Sequence, residues 1–245
     1  MKILILGHNG MLGHMVKCCL EKFYDIETTQ HRWPSLDFKD IVSKSDSKYL
    51  INCIGAIPQK KDIFDVNFEL PVWVDQNFCG RVIHPDTDCR DSDPYCISKN
   101  KSSEWILSEG NRTKIIKSSI LGPELNSRVS LMEWFLSNED GSTVDGYNRY
   151  FWNGNTTLTW AEFSRELIDG WEKYEAETIL SSVCITKREI LESINEIFDR
   201  KINILSKDGE ALNRCLPGQI STPHIKIQLK RLKEFYYDIQ PKNIC

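Results

Sequence analysis

The stretch Lys2-Ile3-Leu4-Ile5-Leu6-Gly7-His8-Asn9-Gly10-Met11-Leu12-Gly13 decides the fold class. Residues 2–6 form a short aliphatic run that stops at Gly7, as suits a parallel strand buried on both faces. A helical pattern follows from Met11 to about Phe23. Between them Gly7, Gly10 and Gly13 make GxxGxxG, a spacing that permits a tight turn and brings backbone amides close to a pyrophosphate at a helix N-terminus. Asn9, Met11 and Leu12 belong to the same turn. Strand, glycine turn and helix in that order point to a dinucleotide cofactor; a glycine-rich structural turn is the competing reading.

Working outward, Tyr49 to Ile54 is a second aliphatic run ending at Gly55-Ala56, and further runs occupy 81–84 and 114–117. Amphipathic stretches lie between them, around 66–78 and 95–107. Strands alternating with helices predict an α/β fold, a Rossmann-type doubly wound parallel sheet. After Gly122-Pro123 the alternation fails. Two capping boxes, Thr159-Trp-Ala-Glu162 and Thr186-Lys-Arg-Glu189, then open helices of a smaller, interwoven C-terminal lobe. The expected division is 1–124 for the nucleotide domain, returning at about 146–175, with 125–145 and 176–245 in the lobe.

The chain has 245 residues, 40% hydrophobic and 27% charged, which excludes collagen, coiled coil and wholesale disorder. At this size about 70% of the unfolded surface can be buried, enough for a core without staples. The net charge of −4, with no basic block, gives no reason to expect a nucleic-acid surface. No apolar stretch approaches a membrane span, and MKILILGHNG holds too short an apolar run for a signal peptide. Nine cysteines, without CxxC or paired spacing, read as reduced thiols in a cytoplasmic protein.

About 20 residues past the glycines, where NAD sites usually offer an acidic side chain, stand His31 and Arg32. A guanidinium can pair with a 2′-phosphate, so NADPH is expected over NADH, with a solvated surface arginine as the plain alternative.

In Asp93-Pro94-Tyr95-Cys96-Ile97-Ser98-Lys99, Asp93 suits an N-cap and Pro94 the first helical position. Tyr95 and Lys99, four apart, then share a helix face. An ammonium beside a phenol, together with the helix N-terminus, would depress the tyrosine pKa and let it exchange a proton with a carbonyl oxygen. Thr87, at the C-terminal end of the strand from Arg81, could donate to the same oxygen; capping a turn is its plain reading. Pro85 implies that strand pairing ends before Thr87. His84 reads as an ordinary strand-end residue, and five scattered histidines show no metal-ligand spacing.

These residues carry a resemblance. GHNGMLGH at 7–14, INCIGAI at 51–57, VIHPDTDC at 82–89, YCISK at 95–99, SSILGPEL at 118–125 and GYNRYFWNGNTTL at 146–158 resemble the extended short-chain dehydrogenase/reductases. Within them the chain is similar to the dTDP-4-dehydrorhamnose reductases and related nucleotide-sugar 4-ketoreductases. The resemblance implies that Gly7, Gly10 and Gly13 cradle the cofactor pyrophosphate and that Thr87, Tyr95 and Lys99 are catalytic. Tyr95 would protonate the keto oxygen, Thr87 hydrogen-bond it, and Lys99 hold the nicotinamide ribose. Arg128, Trp152 and Asn153 fall in the region that faces the nucleotide sugar.

The chain departs from that pattern in Pro85-Asp86 and in a shortened excursion, eight positions from Thr87 to Tyr95. The missing loop leaves the substrate mouth more open, and Asp86 and Asp91 could repel a diphosphate. Two other readings stay open. Cys89 stands where related bifunctional epimerase/reductases carry a cysteine acid/base, although a free cysteine is more often a small buried hydrophobe. The family also resembles a non-catalytic regulatory partner of methionine adenosyltransferase, so a dinucleotide-binding subunit is the alternative of another class. A nucleotide sugar is the expected ligand, and homo-oligomerisation is left open.

Overall fold

The computed structural model describes residues 1–60, 63–89 and 92–238. Strands and helices alternate through β1 (Lys2–Leu6), α1 (Met11–Leu20), β2 (Asp25–Thr28), α2 (Leu36–Lys44), β3 (Tyr49–Asn52), α3 (Val66–Asn77), β4 (Arg81–Asp86), α4 (Pro94–Ser108) and β5 (Thr113–Lys117). Then come β6 (Ile120–Leu121), α5 (Leu131–Leu136), β7 (Thr143–Tyr147), β8 (Tyr150–Trp152), β9 (Asn155–Thr156), α6 (Thr157–Asp169) and β10 (Glu177–Ser181). The last elements are β11 (Ile185–Thr186), α7 (Lys187–Ile197), β12 (Asn203–Lys207), β13 (Leu212–Asn213), β14 (Ile220–Ser221) and α8 (Ile225–Leu232).

The chain forms two compact units, Met1–Lys117 with Ala161–Thr178, and Ser118–Trp160 with the chain from Ile179 onward. The first closes at Lys117, ahead of the expected 124, and the chain returns to it at Ala161, later than the expected 146. The reason is pairing: β7 is zipped to β12, and β8 lies between β11 and β13, so residues 143–152 belong to the second unit.

In the first unit the strands run in the order β2-β1-β3-β4-β5, every pair parallel, and the start of β10 follows beside β5. Chain order steps one way from β1 to β2 and the other way through β3, β4 and β5. The crevice at the C-terminal ends of β1 and β3 is therefore the switch point at which such sheets take ligands. Every residue of β3, and all of β1 after Lys2, is buried, which accounts for continuous aliphatic runs in place of alternation. Leu4, Leu6, Leu50 and Val82 of the sheet pack with Phe38 and Val42 of α2 and with Leu70, Val74 and Phe78 of α3 and its C-cap. Each such side chain stabilises the fold by roughly 1.5–3 kcal/mol on burial.

In the second unit the Thr186–Glu189 capping box forms as expected and starts α7, whose Ile190, Leu191, Ile194 and Ile197 are buried. This helix packs against α5 and α8. The other expected box is displaced. Thr159 sits inside α6, and it is the Thr156 hydroxyl that accepts from the Thr159 amide at 3.2 Å. The architecture is a Rossmann-type parallel sheet with additional C-terminal α/β elements.

Candidate active site

The glycine turn is built by close backbone packing at the switch point. Gly7 has φ +76°, and a Cβ there would meet the Cys53 carbonyl carbon and Ile54 Cγ1, both at 2.9 Å. A Cβ on Gly13 would overlap the Gly7 carbonyl oxygen. The Gly10 amide closes the turn on that oxygen at 2.9 Å, and Gly10 is the N-cap of α1 with no side chain over the helix end. Met11 and Leu12 open the helix, so backbone amides face the crevice with no competing cap. This geometry fits a dinucleotide pyrophosphate.

Asn9 Nδ2 donates to Gln30 Oε1 at 3.5 Å, and Gln30 Nε2 lies 3.1 Å from His8 Nε2. Gln30 thus reaches from the end of β2 back to the turn, a contact that sequence spacing did not show. His31 Nδ1 lies 3.5 Å from Asp37 Oδ2. Arg32 is exposed in the loop before the cis Trp33–Pro34 bond, and among the described residues its guanidinium has no partner. After β3, Gly55 and Ala56 are held by Asn67, which accepts from the Ala56 amide at 2.7 Å and donates to its carbonyl at 3.0 Å. The same amide nitrogen is 3.2 Å from Ser98 Oγ, linking this loop to α4.

The strand β4 ends at Asp86, before Thr87, as Pro85 implied. Proline is accommodated because pairing with β3 stops at Ile83, while β5 continues beside Asp86. Asp93 caps α4 by accepting from the Cys96 amide at 2.9 Å, with Pro94 in the first turn. The Thr87 hydroxyl donates to the Asp88 carboxylate at 3.1 Å, and the Tyr95 phenol packs edge-on against Phe64.

The electrostatics differ from the sequence expectation. The Tyr95 pKa is raised, first by burial and then, against an opposing effect of Thr87, by Asp86, Asp88 and Asp93. The Lys99 nitrogen is engaged elsewhere: it donates to the Pro85 carbonyl at 2.7 Å and lies 3.4 Å from His84 Nε2. Burial lowers the Lys99 pKa, opposed by Asp86 and assisted by Lys117. Tyr95 is therefore a neutral phenol, the form that donates a proton. Asp86 is a fully buried carboxylate paired with Lys117 at 3.0 Å, so its charge is met inside the sheet. Asp91 lies outside the described residues.

Asn52 escaped the sequence reading, and His84, read as an ordinary strand-end residue, lies inside β4. His84 is buried within β4, bridging Lys99 and Asn52, whose Nδ2 is 3.3 Å from His84 Nδ1. The available signal was a histidine and an asparagine inside otherwise aliphatic strands.

The cysteine expectation is corrected. Cys89 is joined to Cys96, and Cys184 to Cys215, in disulfides. The tertiary fold brings residues 31 apart in sequence to a Cα separation of 5.9 Å, which spacing alone could not reveal. In the bonded form Cys89 carries no proton to exchange.

Arg128, Trp152 and Asn153 belong to the second unit. Arg128 is exposed; Trp152 is buried at the end of β8. Asn153 spends its amide on Leu216, donating to its carbonyl at 2.8 Å and accepting from its amide at 2.9 Å. Among the described residues, no helix is long and apolar enough to cross a membrane.

No protein-family model matches the chain, and no curated protein matches it. Solved structures do. A dTDP-4-dehydrorhamnose reductase from Clostridium acetobutylicum is 16% identical with a TM-score of 0.69, over 99% of this chain and 100% of its own. One from Bacillus anthracis, in complex with NADP, is 15% identical with a TM-score of 0.72, over 94% and 98%. A UDP-glucose 4-epimerase from Thermotoga maritima, with UDP-glucose, is 13% identical with a TM-score of 0.71, over 97% and 99%. At these identities the likeness is one of fold, and this chain carries the Rossmann-type parallel sheet with added C-terminal α/β elements that those proteins share.

Proposed function

We propose that the protein is an NADPH-dependent oxidoreductase that reduces the 4-keto group of a nucleotide-linked deoxy sugar. The observation that carries this reading is that the glycine turn at 7–13 joins β1 to α1 and that Thr87 follows β4 of the same parallel sheet, with Tyr95 and Lys99 in the first two turns of α4. The likeness to reductases of dTDP-4-dehydrorhamnose, one of them holding NADP, supports the substrate class and the cofactor. Reduced nicotinamide, when bound, supplies the hydride. Gly7, Gly10 and Gly13 hold the pyrophosphate with the amides at the start of α1, Asn9, Gly55 and Ala56 border it, and Arg32 meets the 2′-phosphate.

Tyr95 gives its phenolic proton to the keto oxygen. The neighbouring carboxylates and its burial keep that proton in place until the oxygen gains charge. Thr87, whose hydroxyl donates to Asp88 in the ligand-free protein, turns that donor to the same oxygen. Lys99 holds the nicotinamide ribose.

The test is to incubate purified protein and NADPH with dTDP-, UDP- and GDP-linked 4-keto-6-deoxy sugars and follow cofactor oxidation. Oxidation with one nucleotide series is expected. Tight NADPH binding with no oxidation across the panel would instead favour a dinucleotide-binding regulatory subunit.

A further inference from the structure

Asn52, His84 and Lys99 form a buried line from β3 through β4 to α4. Asn52 has a fixed orientation, because its Oδ1 accepts from the Ile54 amide at 3.1 Å. Its Nδ2, which can only donate, is therefore the atom 3.3 Å from His84 Nδ1. That nitrogen must offer a lone pair. His84 is neutral, since its complete burial holds its pKa well below the ordinary value, so its single proton sits on Nε2.

Nε2 faces the Lys99 nitrogen at 3.4 Å. An ammonium has only donors to present to an N–H, whereas a neutral amine has a lone pair to accept it and still has a proton for the Pro85 carbonyl at 2.7 Å. We propose that His84 is a positioning residue for Lys99: held by Asn52 with its proton on Nε2, it presents an N–H to the lysine nitrogen and selects the neutral amine in the ligand-free protein.

This rests on the reductase reading, in which Lys99 serves the Tyr95 site, and it adds the residue that sets the protonation state of Lys99. The other groups acting on Lys99 are Asp86 on β4, which favours the ammonium, and Lys117 on β5, which opposes it. Asp86 and Lys117 are already paired with each other at 3.0 Å, and β3 contributes only the uncharged Asn52. On α4, Tyr95 lies one turn before Lys99, and burial holds its pKa above the ordinary value.

The tautomer is read directly in the full-length protein labelled with 15N-histidine, from long-range proton–nitrogen correlation spectra of its five histidines. The His84 signal is the one lost in His84→Gln, with His84→Asn as a second assignment variant. A protonated Nε2 with a bare Nδ1 is expected; a proton on Nδ1, or an imidazolium, overturns the proposal.

The second measurement is the pH profile of NADPH oxidation. A glutamine at position 84 can turn its carbonyl oxygen to Lys99 and accept from an ammonium. The alkaline limb of kcat/KM should then move up by about one pH unit, a tenfold change in proton affinity. A limb that stays in place in a folded His84→Gln protein also overturns it. Normal turnover with an Nδ1 proton would remove the role of His84 and leave the reductase reading standing. An Nε2 proton with no turnover on any 4-keto sugar would remove the reductase reading and support the tautomer.

Discussion

Gly13 packs so tightly over Gly7 that a Cβ on Gly13 would overlap the Gly7 carbonyl oxygen, backbone against backbone at the head of α1. No side-chain rotation can relieve that clash, so the turn must move if Gly13 changes. Gly13→Ala is expected to weaken NADPH binding at least tenfold, about 1.4 kcal/mol, by fluorescence titration. Gly141 is the control. Its φ of +87° makes alanine cost about 1 kcal/mol of stability, but no atom lies within 4 Å of the new Cβ, and cofactor affinity should not change.

Arg32 is exposed and without a partner among the described residues, so a 2′-phosphate would meet an uncommitted guanidinium. NADPH should bind more tightly than NADH, and Arg32→Ala should reduce the preference by roughly fivefold, as for an exposed charge contact worth about 1 kcal/mol. Parallel titrations of both cofactors check this. Equal affinities in the unaltered protein, or a preference that survives the substitution, would move the recognition to another residue.

Tyr95→Phe removes one general acid and keeps the ring packed against Phe64. Turnover should fall on the order of 10²- to 10⁴-fold with cofactor affinity nearly intact. Single-turnover kinetics with saturating NADPH separates the two quantities. Near-normal turnover would show that the proton comes from elsewhere.

Asp86 has no solvent exposure of its side chain and relies on Lys117 for a counter-charge. Lys117→Met leaves that carboxylate buried alone and should cost about 3 kcal/mol in urea unfolding. Adding Asp86→Asn removes the stranded charge and should recover most of the loss. Equal stability of the single and double variants would mean that the pair is not coupled.

The Cys184–Cys215 disulfide closes a loop with a sequence separation of 31 in the second unit. By loop-closure entropy its removal should destabilise by about 3–4 kcal/mol. Peptide mapping without reductant should recover the linked pair, and unfolding of Cys184→Ser checks the magnitude. A free thiol at Cys215 in protein purified under oxidising conditions would contradict the bond.

What the sequence by itself determined is local. The strand, turn and helix at 2–20, the cap by Asp93 and the box at Thr186 and Glu189 each depend on residues within a few positions of one another, where propensity and short hydrogen bonds dominate. Aliphatic strands at regular intervals were enough to specify a parallel sheet, because burial on both faces leaves no other use for them. Only the tertiary structure decided the rest. The unit boundaries follow strand pairings such as β7 with β12, residues 60 or so apart, which no local pattern encodes. The state of Tyr95 and Lys99 depends on which side chains β3, β4 and β5 bring around them. Four-residue spacing put the two on one helix face, but burial, three carboxylates and the Pro85 carbonyl outweighed the ammonium–phenol attraction that spacing suggested.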